Sequence, residues 1–149
     1  MASSTLAISI SIDAPQEKVW AKIADWQSQG EWMLQTKVWV TSDSLEGVGT
    51  SIAAFTGPFH KFYPRFKSIG LLDLMTVTSW QPPERCNVEH VGTVLKGSGS
   101  FYLSEENNGK TRFDWSETII APRVIFLAVA PFLYLGVRIS LARFARSFR

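Results

Sequence analysis

Leu6, Ile8, Ile10 and Ile12 fall at every second position with Ser9 and Ser11 between them, the period of a strand that buries one face. Asp13, Ala14 and Pro15 end the alternation. Pro15 suits a first helical turn, and Val19, Trp20 and Ile23 then recur at helical spacing up to Ala24. A second short helix is predicted over 26–34, interrupted by Gly30. The period then returns to that of extended chain. Strands are predicted over 36–41, 50–56, 72–80, 85–91, 93–104 and 110–120, with turn segments such as SDSLEGVG, QPPE and EENNG between them. Asn108-Gly109 is a strong hairpin signal. One strand, two short helices and six consecutive strands, followed by an apolar segment, describe a single α+β domain over 1–149.

That last segment, VIFLAVAPFLYLGV at 124–137, has no charge between Arg123 and Arg138 and carries Pro131 in its middle. Its length as a helix is about 21 Å at about 1.5 Å per residue, short of the roughly 30 Å of bilayer hydrocarbon, so a membrane span is not expected. Six antiparallel strands need cover for their apolar face, and a helix that is apolar on most sides supplies it. Residues 124–148 are therefore expected to pack across the concave face. Pro131 predicts either a bend in that helix or its start.

Composition changes this picture little. A formal charge of +2 is too small to imply nucleic acid, and Arg138, Arg143, Arg146 and Arg149 fit a solvated helix end. Cys86 is the sole cysteine, so it forms no internal disulfide and lacks the companions of a zinc site; a small buried hydrophobe is the expected role. MASSTLAISISID alternates and has no basic segment before a continuous apolar run, which is not the pattern of a secretory signal, and a cytoplasmic location is expected. GSGS at 97–100 lies inside a predicted strand and opens no helix, so it is no phosphate loop.

IDAPQEKVWAKIADW at 12–26, Trp32, GVGT at 47–50, LDLMTVTSWQPPERC at 72–86, VEHVGTVLKGSGSF at 88–101 and TRFDWSETI at 111–119 together resemble the SRPBCC (START-like) superfamily, in particular its polyketide cyclase/dehydrase and lipid-transport branch. The resemblance covers nearly the whole chain and implies the helix-grip fold: a curved seven-stranded antiparallel sheet around one long C-terminal helix, with a ligand cavity between them. The chain departs from that pattern at GPFHKFYPRFKSIG, residues 57–70, where His60, Lys61, Arg65 and Lys67 alternate with Phe59, Phe62, Tyr63 and Phe66. A mobile loop at the cavity mouth is the expectation; a transient contact with an anionic membrane is the competing reading, and nucleic acid is not expected.

Strand alternation predicts the wall of such a cavity. Phe113, Trp115, Glu117 and Ile119 share one face of their strand, Asp73, Met75 and Val77 another, Cys86, Val88 and His90 a third, and Gly97, Gly99, Phe101 and Leu103 a fourth. By the same rule Trp80 lies on the opposite face from Val77. Glycines at 97 and 99 leave room, although their first use is to bend a curved sheet. The predicted ligand-binding set is Met75, Val77, Val88, His90, Gly97, Gly99, Phe101, Phe113, Trp115 and Glu117, with Phe126 and Phe132 from the helix. The loop at 57–70 is expected to rest on Phe126, Phe132, Leu133 and Leu135 as a lid.

Asp73, His90 and Glu117 form a polar set on this otherwise apolar surface, the usual form of a small-molecule site. Two roles remain open for them. His90 has the chemistry of a general acid or base that a carboxylate orients, as a polyketide cyclase/dehydrase-like enzyme would need. Alternatively it is a buried structural histidine with the carboxylates at a wet rim. Cys86 and His90 would need further donors to hold a metal, so neither metal nor cofactor is expected. The reading this supports is a carrier or sensor of a hydrophobic small molecule, a lipid, polyketide or other aromatic, acting as monomer or homodimer.

Overall fold

The computed structural model describes residues 2–92 and 95–149. Seven antiparallel strands form one sheet: β1 (Ala2–Ile12), β2 (Thr36–Val40), β3 (Ser51–Thr56), β4 (Leu71–Gln81), β5 (Arg85–Val91), β6 (Lys96–Glu105) and β7 (Thr111–Ala121). Their order is β1-β7-β6-β5-β4-β3-β2, so β2 to β7 make a continuous meander and β1 closes on its last strand. Helix α1 (Gln16–Ile23) and a 3₁₀ turn (Trp26–Glu31) carry the chain from one edge of the sheet to the other. Thr93 and Val94, where the sixth strand was expected to start, lie outside the described residues. The Asn108-Gly109 signal is realised as a tight turn between β6 and β7, with φ of 65° and 73° at the two positions.

The concave face is packed first by α1, whose Val19, Trp20 and Ile23 are buried. Trp20 meets Trp80 edge-on at 5.1 Å and Phe101 at 5.6 Å. Trp80 therefore faces the core, against the expectation from simple alternation. The cause is a bulge in β4: Val77 pairs with Val88 and Ser79 with Asn87, so Thr78 is an extra residue and the pleat changes phase beyond it.

Helix α2 (Arg123–Arg146) runs through Pro131 and starts well before it. It covers the sheet less fully than expected. Leu141 and Phe144 are buried, and Phe144 packs on Trp32 at 4.7 Å and on Phe113 at 5.9 Å. Ser140 ties the same stretch down: its hydroxyl accepts the Leu34 N–H at 2.9 Å and donates to the Gly136 carbonyl at 2.7 Å. The preceding turns stand clear, with Val124 79% and Phe132 77% exposed.

The loop at 57–70 also departs from expectation, because its Tyr63 ring rests on β2 and β3. Tyr63 packs on Trp39 at 5.0 Å and on Phe55 at 4.7 Å, both on the face of β2 and β3 opposite to the core residues Val38, Ile52 and Ala54. Phe59 and Phe66 pair at 4.8 Å within the loop. Strand pairing nevertheless brings this loop, the end of β5 at Val91, the start of β6 at Lys96, the start of β1 and the junction of β7 with α2 to one end of the sheet.

Candidate functional site: a cavity with a charged end

A cavity of about 210 Å³ lies between the concave face and α2. Met75, Val88, His90, Gly99, Phe101, Phe113, Trp115 and Glu117 of the expected set line it, together with Asp73 and Cys86. The other four do not. Val77 points inward but is packed solid in the core at 1% exposure. Gly97 is a point of close approach instead of open space: its φ is +131°, and a Cβ there would sit 1.9 Å from the Thr118 carbonyl oxygen. Phe126 and Phe132 belong to the part of α2 that stands clear of the sheet; Leu133, Val137 and Leu141 roof the cavity in their place.

Asp73, His90 and Glu117 converge at one end. The His90 ring bonds Asp73 Oδ1 through Nδ1 at 2.8 Å and Glu117 Oε1 through Nε2 in a shorter contact. Asp73 stands on β4, diagonal to His90 on β5, and Glu117 stands on β7, two strands away at roughly 9.5 Å of sheet. Side chains reach across that gap because the intervening strand β6 presents Gly97 opposite His90 and Gly99 opposite Glu117. A Cβ on Gly99 would fall 2.7 Å from Glu117 Oε2. The missing side chain of β6 is the space that the carboxylate occupies.

The electrostatics follow from burial and pairing. Burial opposes a charge on His90, but hydrogen bonds and attraction from Asp73 and Glu117 outweigh it and raise the imidazolium to about 10. At neutral pH the ring is protonated with both nitrogens donating. Burial raises the Glu117 carboxyl despite the His90 charge beside it. Cys86, also lining the cavity, is pushed up to about 12 by burial and is an inert thiol.

Trp26 and Trp32 line the cavity as well, and strand alternation had no means of finding them because both lie outside the strands, in and just after the 3₁₀ turn. Both are buried, at 5% and 6% exposure, and each indole N–H lacks a hydrogen-bond partner among the described residues. Buried donors of this kind are costly unless a ligand or water satisfies them.

No protein-family model and no curated protein sequence matches the chain. Solved structures do. A START superfamily protein from Mycobacterium smegmatis superposes with a TM-score of 0.75 at 8% identity, covering 97% of this chain and 99% of that one. The chain shares its helix-grip fold with that structure. Protein Ms6760 from the same organism gives a TM-score of 0.73 at 16% identity over 97% of this chain and 90% of that one. The di-domain ARO/CYC protein BexL gives 0.71 at 14% identity, with 98% of this chain aligned to 50% of that chain.

Proposed function

We propose that the protein binds a compact, uncharged, largely apolar small molecule in the cavity, as a carrier or sensor. The observation that carries this is a largely apolar, partly open cavity with Asp73, His90 and Glu117 gathered at one end of its wall. Trp26 and Trp32 offer indole rings to an apolar ligand, and Glu117 offers acceptor capacity beyond its bond to His90. Among the described residues no Lys or Arg lines the cavity, and the His90 cation there is already held by two carboxylates. A fatty-acid anion would therefore lie beside Asp73 and Glu117 without a partner of its own. A volume of about 210 Å³ is below the roughly 300–1,000 Å³ of drug-sized sites and somewhat above the roughly 150 Å³ that accommodates benzene, which favours a ligand of one or two rings.

The enzyme reading, a polyketide cyclase/dehydrase-like reaction with His90 as acid or base, is the weaker one. A histidine protonated up to about 10 and bonded at both nitrogens has no lone pair to accept a proton and holds its own proton tightly. Lipid transport and a cytoplasmic location stay within the proposal as the setting in which a carrier of this kind would work. Extraction and mass spectrometry of the purified protein, with thermal melts against neutral aromatic ketones and phenols and against fatty acids, test it. Neutral ring compounds should raise the melting temperature in proportion to the logarithm of their concentration and fatty acids should not. A shift from fatty acids alone, or from nothing in the panel, would overturn the reading.

A further inference from the structure

Helix α2 carries mean hydropathy 2.1 over its most apolar stretch, yet only 11% of that stretch is buried. In its first half Val124, Ile125, Leu127, Val129, Phe132 and Leu135 are between 49% and 79% exposed. At about 100° per residue these positions spread over roughly 200° of the helix circumference, twice the stripe of about 100° that a single packing partner covers. A helix bare and apolar over that arc is matched by a surrounding medium better than by one facing surface.

The loop at 57–70, at the same end of the sheet, adds Phe59, Phe62 and Ile69, which are 42%, 60% and 45% exposed. Charge follows the same division. Residues 57–70 and 122–149 hold eight of the fifteen Lys and Arg and none of the thirteen Asp and Glu, so the remainder of the chain is net acidic. Lys61, Arg65 and Lys67 are exposed among the loop aromatics, and Arg123 starts the helix.

We infer that this end of the molecule docks on an anionic lipid surface, with the first half of α2 and the loop aromatics in the boundary between headgroups and acyl chains and the basic side chains on lipid phosphates. The helix lies on the bilayer and does not cross it. By length and composition α2 could cross a bilayer, but Leu141 and Phe144 are locked in the core, which holds its second half on the protein. Leu71, which follows the loop, and Leu133, which follows Phe132, both line the cavity, so the docked face adjoins the ligand site. The docking stands independently of the ligand reading.

Flotation of the full chain with vesicles of phosphatidylcholine alone, and of phosphatidylcholine with phosphatidylglycerol in a three-to-one ratio, is the test. Partitioning to the anionic vesicles should exceed that to the neutral ones by at least about tenfold and weaken steeply between about 0.1 M and about 1 M salt. Phe132→Glu, at a position too exposed to disturb the core, should lower it by about tenfold or more with an unchanged melt. Combined Lys61→Glu and Lys67→Glu should do the same, each basic residue at such a surface contributing about fivefold. Both variants should keep the thermal response to cavity ligands, which separates docking from binding. Equal partitioning to both vesicles, or full binding by Phe132→Glu, would sink the proposal. So would a dimer in sedimentation equilibrium that Phe132→Glu dissociates, because the helix face would then belong to a second copy.

Discussion

At one end of the concave face Trp20, Trp26, Trp80, Phe101, Phe113 and Phe144 interlock with ring centroids 5.1 to 6.3 Å apart; at the other, Asp73, His90 and Glu117 meet beside open space. Strand β6 runs through both ends and sets the difference. Its inward positions read Gly97, Gly99, Phe101, Leu103, so the half without side chains admits a buried charge cluster spanning two strands and the half with them closes into an aromatic core, whose Trp26, Phe101 and Phe113 also border the cavity. Adjacent residues of one strand thus separate the part of the protein that confers stability from the part that offers chemistry.

The comparison is most easily broken at the filled end. Phe113→Ala removes a side chain with no solvent exposure, stacked with Phe101 at 6.1 Å, and should cost about 3–5 kcal/mol in urea unfolding. The charged end should respond next. Asp73→Ala leaves a buried imidazolium with one partner and is expected to cost about 3 kcal/mol, whereas His90→Leu combined with Glu117→Leu should recover most of that loss. Failure of the double variant to recover would mean that the cluster is a source of stability in its own right.

Trp115 and Trp80 sharpen the contrast further. Trp115 borders the cavity, so Trp115→Ala should cost less than about 3 kcal/mol and alter ligand-induced thermal shifts, while Trp80→Ala, in the interlocked end, should cost more and leave those shifts intact. The smallest effect is a slope with pH. Folded His90 binds a proton up to about 10, against about 6.5 when unfolded, so stability should fall as pH rises through that window, and Glu117, raised by burial, acts with the same sign from above the ordinary carboxylate value. Thermal melts of His90→Gln over the same range should lose most of the slope.

Much of this arrangement was legible beforehand, and the reasons for the exceptions are physical. Alternation placed Asp73, His90 and Glu117 on one surface because strands β4, β5 and β7 keep a regular pleat over those residues. It misplaced Trp80 because a bulge leaves no mark in the polar pattern of MTVTSW. It assigned Gly97 to open space because a glycine reads alike whether it makes room for a ligand or for a neighbouring backbone. Phe126 and Phe132 were expected over the cavity because the whole of 124–137 is apolar, so its periodicity could not reveal where contact with the sheet begins. The indoles of Trp26 and Trp32 escaped notice because a short turn holding Gly30 has no periodicity to read.

The bulge at Thr78 works like a frameshift. Before it, odd-numbered residues of β4 serve the concave face; after it, even-numbered ones do, and a single strand thereby contributes Asp73 to the charge cluster and Trp80 to the aromatic core. Deleting that one residue would make the ladder regular, with Val77 still opposite Val88 and Trp80 still opposite Cys86, so both ends of the strand would keep their inward side chains and only the local kink between them would be lost.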